Sequence, residues 1–121
     1  MIYQRGIRGA ISVDSNTSDS IKAATVTLLN KMIESNSVNV EDISHVIFTL
    51  TKDLSAAFPA KFARTELGWD NVAMMCFNEL DVEHSLKMCM RVLLVVSTKK
   101  KQNEINHIYL KEAVKLRPDI V

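Results

Sequence analysis

The hydrophobic positions of the chain switch between two spacings, and each switch marks an element. Apolar residues share Ile2–Val13 with two arginines and two glycines, which predicts a strand that another part of the chain approaches closely. The apolar spacing then lengthens to three and four residues, which predicts an amphipathic helix over Ser18–Ser35 capped by Thr17. A short turn near Asn39 leads into His45–Lys52, a largely apolar run typical of a buried strand.

The second half of the chain contains a shorter helix and more strands. Pro59 at the first helical position and Gly68 beyond the last turn predict a helix over Pro59–Leu67. Three further apolar runs predict strands, namely Val72–Phe77, Met88–Ser97 and His107–Leu116. The lysines at 99–101 predict a solvated loop. About five strands and two main helices together indicate an α+β fold in which a mixed sheet packs with the helices.

The predicted sheet has more surface than two helices can cover. The 121 residues, 47% of them hydrophobic and 24% charged, are typical of one soluble globular domain, so we expect residues 1–121 to form a single domain. Helices on one side leave the other face and the edges of the sheet open. We therefore expect the chain to oligomerise.

Charge, hydropathy and cysteine content exclude several classes of protein. Lysine and arginine number 15 against 14 acidic residues, so the overall charge of +1 does not predict a nucleic-acid partner. Apolar runs such as Val92–Val96 are far short of the roughly 20 residues that cross a membrane. Arg5 and Arg8 interrupt the N-terminal apolar residues, and Cys76 and Cys89 form no paired motif, so we expect a reducing cytoplasm rather than secretion.

Motifs of the common catalytic chemistries are missing from the sequence. The chain has no glycine-rich phosphate loop, no zinc-protease motif and no serine-nucleophile elbow. Its histidines, His45, His84 and His107, are too scattered to predict a metal site with the two cysteines, and each is interpreted as structural. We therefore expect neither a metal nor a cofactor.

Three residues stand out from their apolar surroundings. Arg91 interrupts an apolar strand, and a buried arginine is costly unless it pairs with a carboxylate or binds an anion. The pattern alone favours an ion pair with Glu79 or Asp81, or an edge facing water, over a functional role. Arg8 has small neighbours that leave room for a ligand, although a solvated strand face is commoner, and Tyr109 fits a core position as well as a site.

Six sequence blocks occur together in one order along nearly the whole chain. They are Arg5–Ala10, Phe58–Lys61 with Arg64, Cys76 with Glu79 and Asp81–Val82, Cys89–Val92, Tyr109–Leu110, and Leu116–Asp119. In these blocks the chain resembles the monofunctional chorismate mutases of the trimeric, non-helical class. The resemblance implies a homotrimeric pseudo-α/β barrel whose clefts between subunits convert chorismate to prephenate, in the biosynthesis of phenylalanine and tyrosine.

The resemblance also implies which residues form the site. The matching positions for catalysis are Arg8, Glu79, Arg91 and Tyr109. The matching positions for substrate binding are Cys76, expected beside the catalytic set, Phe58, Lys61 and Arg64 from a neighbouring subunit, Met74 and Met75, and Leu116 and Arg117 before the C-terminal tail. Met74 and Met75 depart from the family, where smaller or more polar residues are expected. The short remainder up to Val121 leaves little tail to close the site.

The implied reaction explains why nucleophiles and metals are not expected. Chorismate is a dianion whose rearrangement breaks a C–O bond while forming a C–C bond within one molecule. A protein accelerates it by holding the compact conformer and stabilising the separating charge. By resemblance, Arg8 and Tyr109 bind carboxylate oxygens, and Arg91 binds a carboxylate and the ether oxygen. Glu79 accepts a hydrogen bond from the ring hydroxyl.

Two other interpretations of the same residues are open. One is a trimer that binds another small carboxylate, as in imine-deaminase-like proteins of related architecture. The other is a structural or interaction protein in which Arg91 only pairs with an acid. Glu79 favours the mutase. A site that binds only a dianion gains nothing from a carboxylate, whereas the ring hydroxyl of chorismate can donate a hydrogen bond to it.

Overall fold

A five-stranded mixed sheet forms the centre of the computed structural model, which describes residues 1–119. Its strands are β1 (Tyr3–Ser12), β2 (Ile43–Leu50), β3 (Ala73–Asn78), β4 (Cys89–Thr98) and β5 (Ile108–Leu110). The strand order is β3-β2-β4-β1-β5. Strand β4 is antiparallel to both of its neighbours, and the edge strands β3 and β5 are parallel to β2 and β1. The expected α+β class is confirmed.

Two helices, α1 (Ser18–Asn36) and α2 (Pro59–Leu67), cover one face of this sheet. The Thr17 side chain caps α1 by accepting a hydrogen bond from the backbone N–H of Ser20 at 3.2 Å. Gly68 ends α2 with a φ of 72°, a left-handed conformation that favours glycine. Both helix predictions are confirmed to within one residue. No helix within residues 1–119 has the length and apolarity needed to cross a membrane.

The two faces of the sheet differ in what covers them. Alternate residues of β4, Met90, Val92 and Leu94, are fully buried against the helices, in a core shared with both. The intervening residues, including Arg91 and Leu93, point to the opposite side and are only partly buried. We call this opposite side the open face. Among the described residues, the 3₁₀ helix Lys111–Leu116 covers one corner of it.

The last strand is shorter than the sequence predicts. The prediction of a strand over His107–Leu116 is wrong after Leu110, where β5 ends. Lys111 has a φ of 54°, which turns the chain out of the extended conformation and into the 3₁₀ helix. Ala113 is then buried against Tyr109, so the apolar residues of this segment reflect packing of a helical turn rather than pairing. The other strand predictions are confirmed with ends shifted by up to two residues.

Gly9 is the point of closest approach between β1 and α1. A Cβ atom on Gly9 would overlap Met32 Sδ and would lie 3.1 Å from Met32 Cε, in the fully buried core. We expect Gly9→Ala to lower the free energy of unfolding by about 1–3 kcal/mol, the usual cost of overpacking. Urea unfolding at fixed protomer concentration measures it. In a Met32→Val background, which lacks the overlapping atom, the same substitution should cost less; equal costs would contradict this account.

Candidate active site

A shallow cleft of about 310 Å³ lies on the open face, between β1, β2 and β4. Strand register places four residues in one row across four strands. Thr49 of β2 pairs with Arg91 of β4, Arg91 pairs with Ala10 of β1, and Ala10 pairs with Tyr109 of β5. We call this the central row. Ala10 is fully buried in a cluster with Cys89, Tyr109 and Ala113, so the cleft lies beside it and is lined by Arg8, Thr49, Glu79 and Arg91.

Glu79 follows β3 and reaches the open face beside Arg91. The Glu79 backbone N–H donates to the carbonyl of Leu50 at 2.8 Å, which fixes the carboxylate at the end of β2. Glu79 Oε1 lies 2.9 Å from Arg91 Nε and accepts a hydrogen bond from Thr49 Oγ1 at 2.7 Å. Of the two acidic partners that the sequence offered Arg91, Glu79 is the one it contacts, since Asp81 pairs with Lys52 at 2.9 Å.

Two buried polar atoms of the central row have no hydrogen-bond partner within residues 1–119. They are Arg91 Nε, whose N–H misses the nearby carboxylate in direction, and the hydroxyl of Tyr109. Buried polar groups are rarely left unpaired, because each one loses its hydrogen bonds to water. Arg91 also lines the cleft, so a ligand there can reach its guanidinium, whereas the Tyr109 hydroxyl lies in the buried cluster with Ala10 and Ala113.

Arg8 is held in place from β5. Its backbone N–H donates to His107 Nδ1 at 2.9 Å, so the ring replaces a backbone carbonyl just before β5 joins β1. Burial lowers the pKa of His107, and the nearby charges of Arg117 and Arg8 lower it further. Within the described part of the chain, no carboxylate forms an ion pair with the Arg8 side chain. The structural role predicted for His107 is therefore to hold the backbone of Arg8.

The lowered pKa of His107 predicts a loss of stability in mild acid. As the pH falls below the ordinary value of 6.5, the unfolded chain takes up a proton that the folded chain resists. The stabilisation is therefore complete above that pH and declines below it. His107→Asn keeps an acceptor near the Nδ1 position but does not titrate. We expect its free energy of unfolding to fall less than that of the wild type between about pH 7 and pH 5; equal declines would contradict the prediction.

Arg117 lies at the edge of the same region. Its guanidinium bonds to both carboxylate oxygens of Asp119 at 3.0 Å, and this contact raises the pKa of Arg117. Tyr109 is also close enough to add to that increase. Leu116 is partly buried against Tyr109. The structure thus brings Leu116 and Arg117 to the Tyr109 end of the central row. Residues 120 and 121 lie outside the described residues, and so do the last positions of the predicted domain and of its C-terminal tail.

The remaining expected site residues form a separate group near α2. Phe58 is 71% exposed before the helix, and Lys61 and Arg64 are exposed on it. Cys76 joins this group rather than Glu79, which differs from the expectation. Cys76 pairs with the fully buried Phe48, so it faces the helices.

Side-chain alternation in β3 separates the two methionines as well. Met74 is partly buried in the core on the side of Cys76, whereas Met75 is 60% exposed on the open face. Burial raises the pKa of the Cys76 thiol, although the Ala60 backbone and the Arg64 charge partly oppose this. Burial also raises the pKa of the Cys89 thiol. Both thiols therefore stay protonated at neutral pH.

Comparison with known proteins identifies the family of this chain. The sequence profile of the family described as chorismate mutase type I matches residues 4–120. The chain belongs to this family. It is 44% identical to chorismate mutase AroH of Bacillus subtilis over 116 residues, which cover 96% of this chain and 91% of that protein. It is 45% identical to chorismate mutase AroH of Thermus thermophilus over 117 residues, 96% of this chain and 95% of that protein.

The fold agrees with the family too. A solved chorismate mutase structure from Clostridium thermocellum superposes with a TM-score of 0.87 at 50% identity, covering 90% of this chain and 96% of that one. The resemblance noted in the sequence is therefore confirmed, and so is the enzyme class, an isomerase.

Thr49 is a residue of this site that sequence reasoning missed. It was counted as part of an apolar strand, yet it contacts Glu79 directly. Thr49 lies between the buried Phe48 and Leu50, so its hydroxyl points to the opposite face of the strand. A polar residue at that alternating position is the sequence feature that could have indicated it.

Proposed function

We propose that this protein is a homotrimer that converts chorismate to prephenate in clefts between neighbouring protomers. The observation that carries the proposal is the cleft on the open face, where the guanidinium of Arg91 lies with Arg8 beside the Glu79 carboxylate. A ligand rich in oxygen acceptors is what such donors require. Membership of the chorismate mutase family supplies the identity of that ligand, the chorismate dianion.

Cations on the open face bind the substrate and stabilise its transition state. Arg8 and Tyr109 hold carboxylate oxygens and so select the compact conformer of the substrate. Arg91 contacts a carboxylate and the ether oxygen, which becomes more negative as the C–O bond breaks. Because that contact strengthens in the transition state, Arg91 raises the rate and not merely the affinity.

Glu79 acts on the opposite charge. Its carboxylate accepts a hydrogen bond from the ring hydroxyl and favours the positive charge that develops on the ring. The protonated thiols of Cys76 and Cys89 fit a reaction without a covalent intermediate, because a nucleophilic cysteine needs a lowered pKa.

The complete site needs a second protomer. The group near α2, with Phe58, Lys61, Arg64 and Cys76, faces away from the open face of its own chain. One ligand can contact both groups only if a neighbouring copy supplies one of them. In the trimer, Lys61 and Arg64 attract the dianion from the rim, and Cys76 of the neighbour approaches Glu79 as a weak donor.

The open face supports assembly. Apolar side chains on it remain accessible in the single protomer, with Met75 60% and Phe77 45% exposed and the partly buried Ile47 between Met75 and Leu93. Contiguous exposed apolar surface of this kind indicates an interface with another protein. A closed ring of three copies covers it and also removes the unpaired sheet edges.

We place the reaction in the cytoplasm. Both cysteines are free thiols, as is usual in a reducing compartment. The proposal includes no nucleic-acid and no membrane partner, since the net charge of +1 provides no general attraction to either.

A spectrophotometric assay tests the proposed function. Purified protein is added to chorismate, the loss of its ultraviolet absorbance is followed, and the product is identified by NMR. The proposal predicts that the wild type converts chorismate far faster than the spontaneous reaction, with prephenate as product. The Arg91→Ala protein, tested in parallel, should convert it at close to the spontaneous rate. Binding without conversion would instead favour the interpretation as a carboxylate-binding trimer, and neither binding nor conversion would refute both.

A further inference from the structure

We propose that Thr49 is a positioning residue for this reaction: its hydroxyl holds Glu79 so that Arg91 keeps its terminal guanidinium nitrogens for the substrate. The inference rests on the proposed function of the same site. Thr49 lines the same cleft, and the inference is that it acts through Glu79.

The contacts of the Glu79 carboxylate carry the argument. Oε1 lies 2.7 Å from Thr49 Oγ1 and 2.9 Å from Arg91 Nε. Oε2 accepts the backbone N–H of Leu80 at 3.2 Å. Each carboxylate oxygen has two acceptor positions. Thr49 and Arg91 crowd Oε1. Oε2 therefore has the free acceptor position for a further donor such as the ring hydroxyl.

Thr49 thereby limits how Arg91 approaches Glu79. An arginine and a carboxylate left to themselves favour a two-pronged pair, in which both oxygens accept from the guanidinium. The Thr49 hydroxyl occupies an acceptor position of Oε1 and fixes the rotation of the carboxylate. Arg91 Nε then lies 2.9 Å from Oε1, and within residues 1–119 no two-pronged pair of hydrogen bonds joins Arg91 to Glu79. Its two terminal nitrogens form no hydrogen bond within residues 1–119 that would compete with a ligand.

The fold does not need this hydroxyl. Within the described chain, the Thr49 side chain makes one hydrogen bond, to Glu79. Its strand position is equally suited to valine, which has the same branched shape. Thr49→Val therefore removes one donor while it preserves the shape of the strand, and Thr49→Ser restores the donor.

Steady-state kinetics of four proteins test the inference. We expect Thr49→Val to lower kcat about tenfold or more, the usual effect of a lost hydrogen bond to a charged group, with KM changed less than about threefold. Thr49→Ser should stay within about threefold of the wild type. Thr98→Val is the matched control, because Thr98 is a threonine at the far end of β4 whose hydroxyl accepts only the backbone N–H of Lys100. It should leave kcat unchanged.

A double substitution separates positioning from a general structural effect. If Thr49 acts through Glu79, then adding Thr49→Val to Glu79→Gln should change kcat less than about twofold, because the two effects are not additive. Single-turnover reactions with enzyme in excess keep the slow Glu79→Gln reaction measurable. A structural effect would add its full factor in both backgrounds.

The outcomes are distinct. A near-normal kcat in an assembled Thr49→Val enzyme overturns the inference, as does an undiminished effect in the Glu79→Gln background. If Thr49→Val fails to assemble, Thr49→Ala replaces it with the same expected loss of kcat, and a near-normal kcat overturns the inference in the same way. Failure of the proposed function is recognised separately, because the wild-type protein would then not convert chorismate.

Discussion

Replacing Arg91 by lysine is expected to lower kcat by about 10²- to 10³-fold, the range observed when one preorganised donor is removed. A guanidinium can hold a carboxylate and the ether oxygen at the same time, whereas lysine offers a compact ammonium on a flexible stem. The substitution keeps the positive charge at position 91 but loses the planar arrangement of N–H donors. Because Arg91 lies against Glu79 in a largely buried position, lysine cannot reproduce the direction of its N–H groups.

Lys61→Ala is the matched comparison for Arg91→Lys. Lys61 is exposed on α2, so its charge attracts the dianion over a distance and should affect KM rather than kcat. The effect should be larger at low salt, where screening is weakest. Both variants are measured at two ionic strengths after each is shown to assemble like the wild type. An assembled Arg91→Lys enzyme with near-normal kcat would return Arg91 to a structural role.

Leu93→Asp is expected to convert the proposed trimer into monomers and to abolish nearly all turnover. Leu93 lies in the middle of the open face, opposite Arg8 and Ile47 on the neighbouring strands. A carboxylate there is tolerated in a solvated protomer but is costly when a second sheet covers it. Because the isolated protomer lacks the α2 group of its neighbour, loss of assembly and loss of activity should coincide.

Sedimentation and the chorismate assay on the same samples measure that coincidence. Ile2→Asp is the control, because Ile2 is a similarly apolar residue, 67% exposed, near the start of β1 on the side of α1. It should remain trimeric and active. A monomeric Leu93→Asp protein with wild-type turnover would show that one protomer contains a complete site.

Local sequence patterns predict those elements whose ends carry explicit chemistry. Pro59 and Gly68 define α2 because each constrains the backbone in a known way, and the observed helix has the predicted bounds. The last strand was misjudged at Lys111, where an ordinary residue adopts a left-handed φ that no local pattern marks. Tertiary packing of Ala113 stabilises that turn, and such packing is not visible in the order of residues.

The site could not be predicted from local sequence patterns alone. Arg91 was conspicuous as a charge in an apolar strand, but its partners come from strands far away in sequence, and their register decides the central row. Family resemblance provided Glu79 and Tyr109. It did not provide Thr49, whose hydrogen bond to Glu79 depends on the strand register that places Thr49 opposite Arg91. Cys76 was the converse case, because it lies three positions before Glu79, near the end of β3, and an odd spacing along an extended segment reverses the face.

Mixed trimers test most directly the claim that each active site is shared between two protomers. One chain carries Arg91→Ala, and the other carries Lys61→Glu with Arg64→Glu, which reverses the charge at the rim. Assayed at chorismate concentrations well below the raised KM of the rim variant, each variant alone should be almost inactive. Co-expressed in equal amounts with different tags, they should form trimers in which about one quarter of the sites combine two intact contributions, and turnover should recover to about that fraction of the wild type. Turnover of the mixed trimers no higher than the average of the two parents would contradict the shared site.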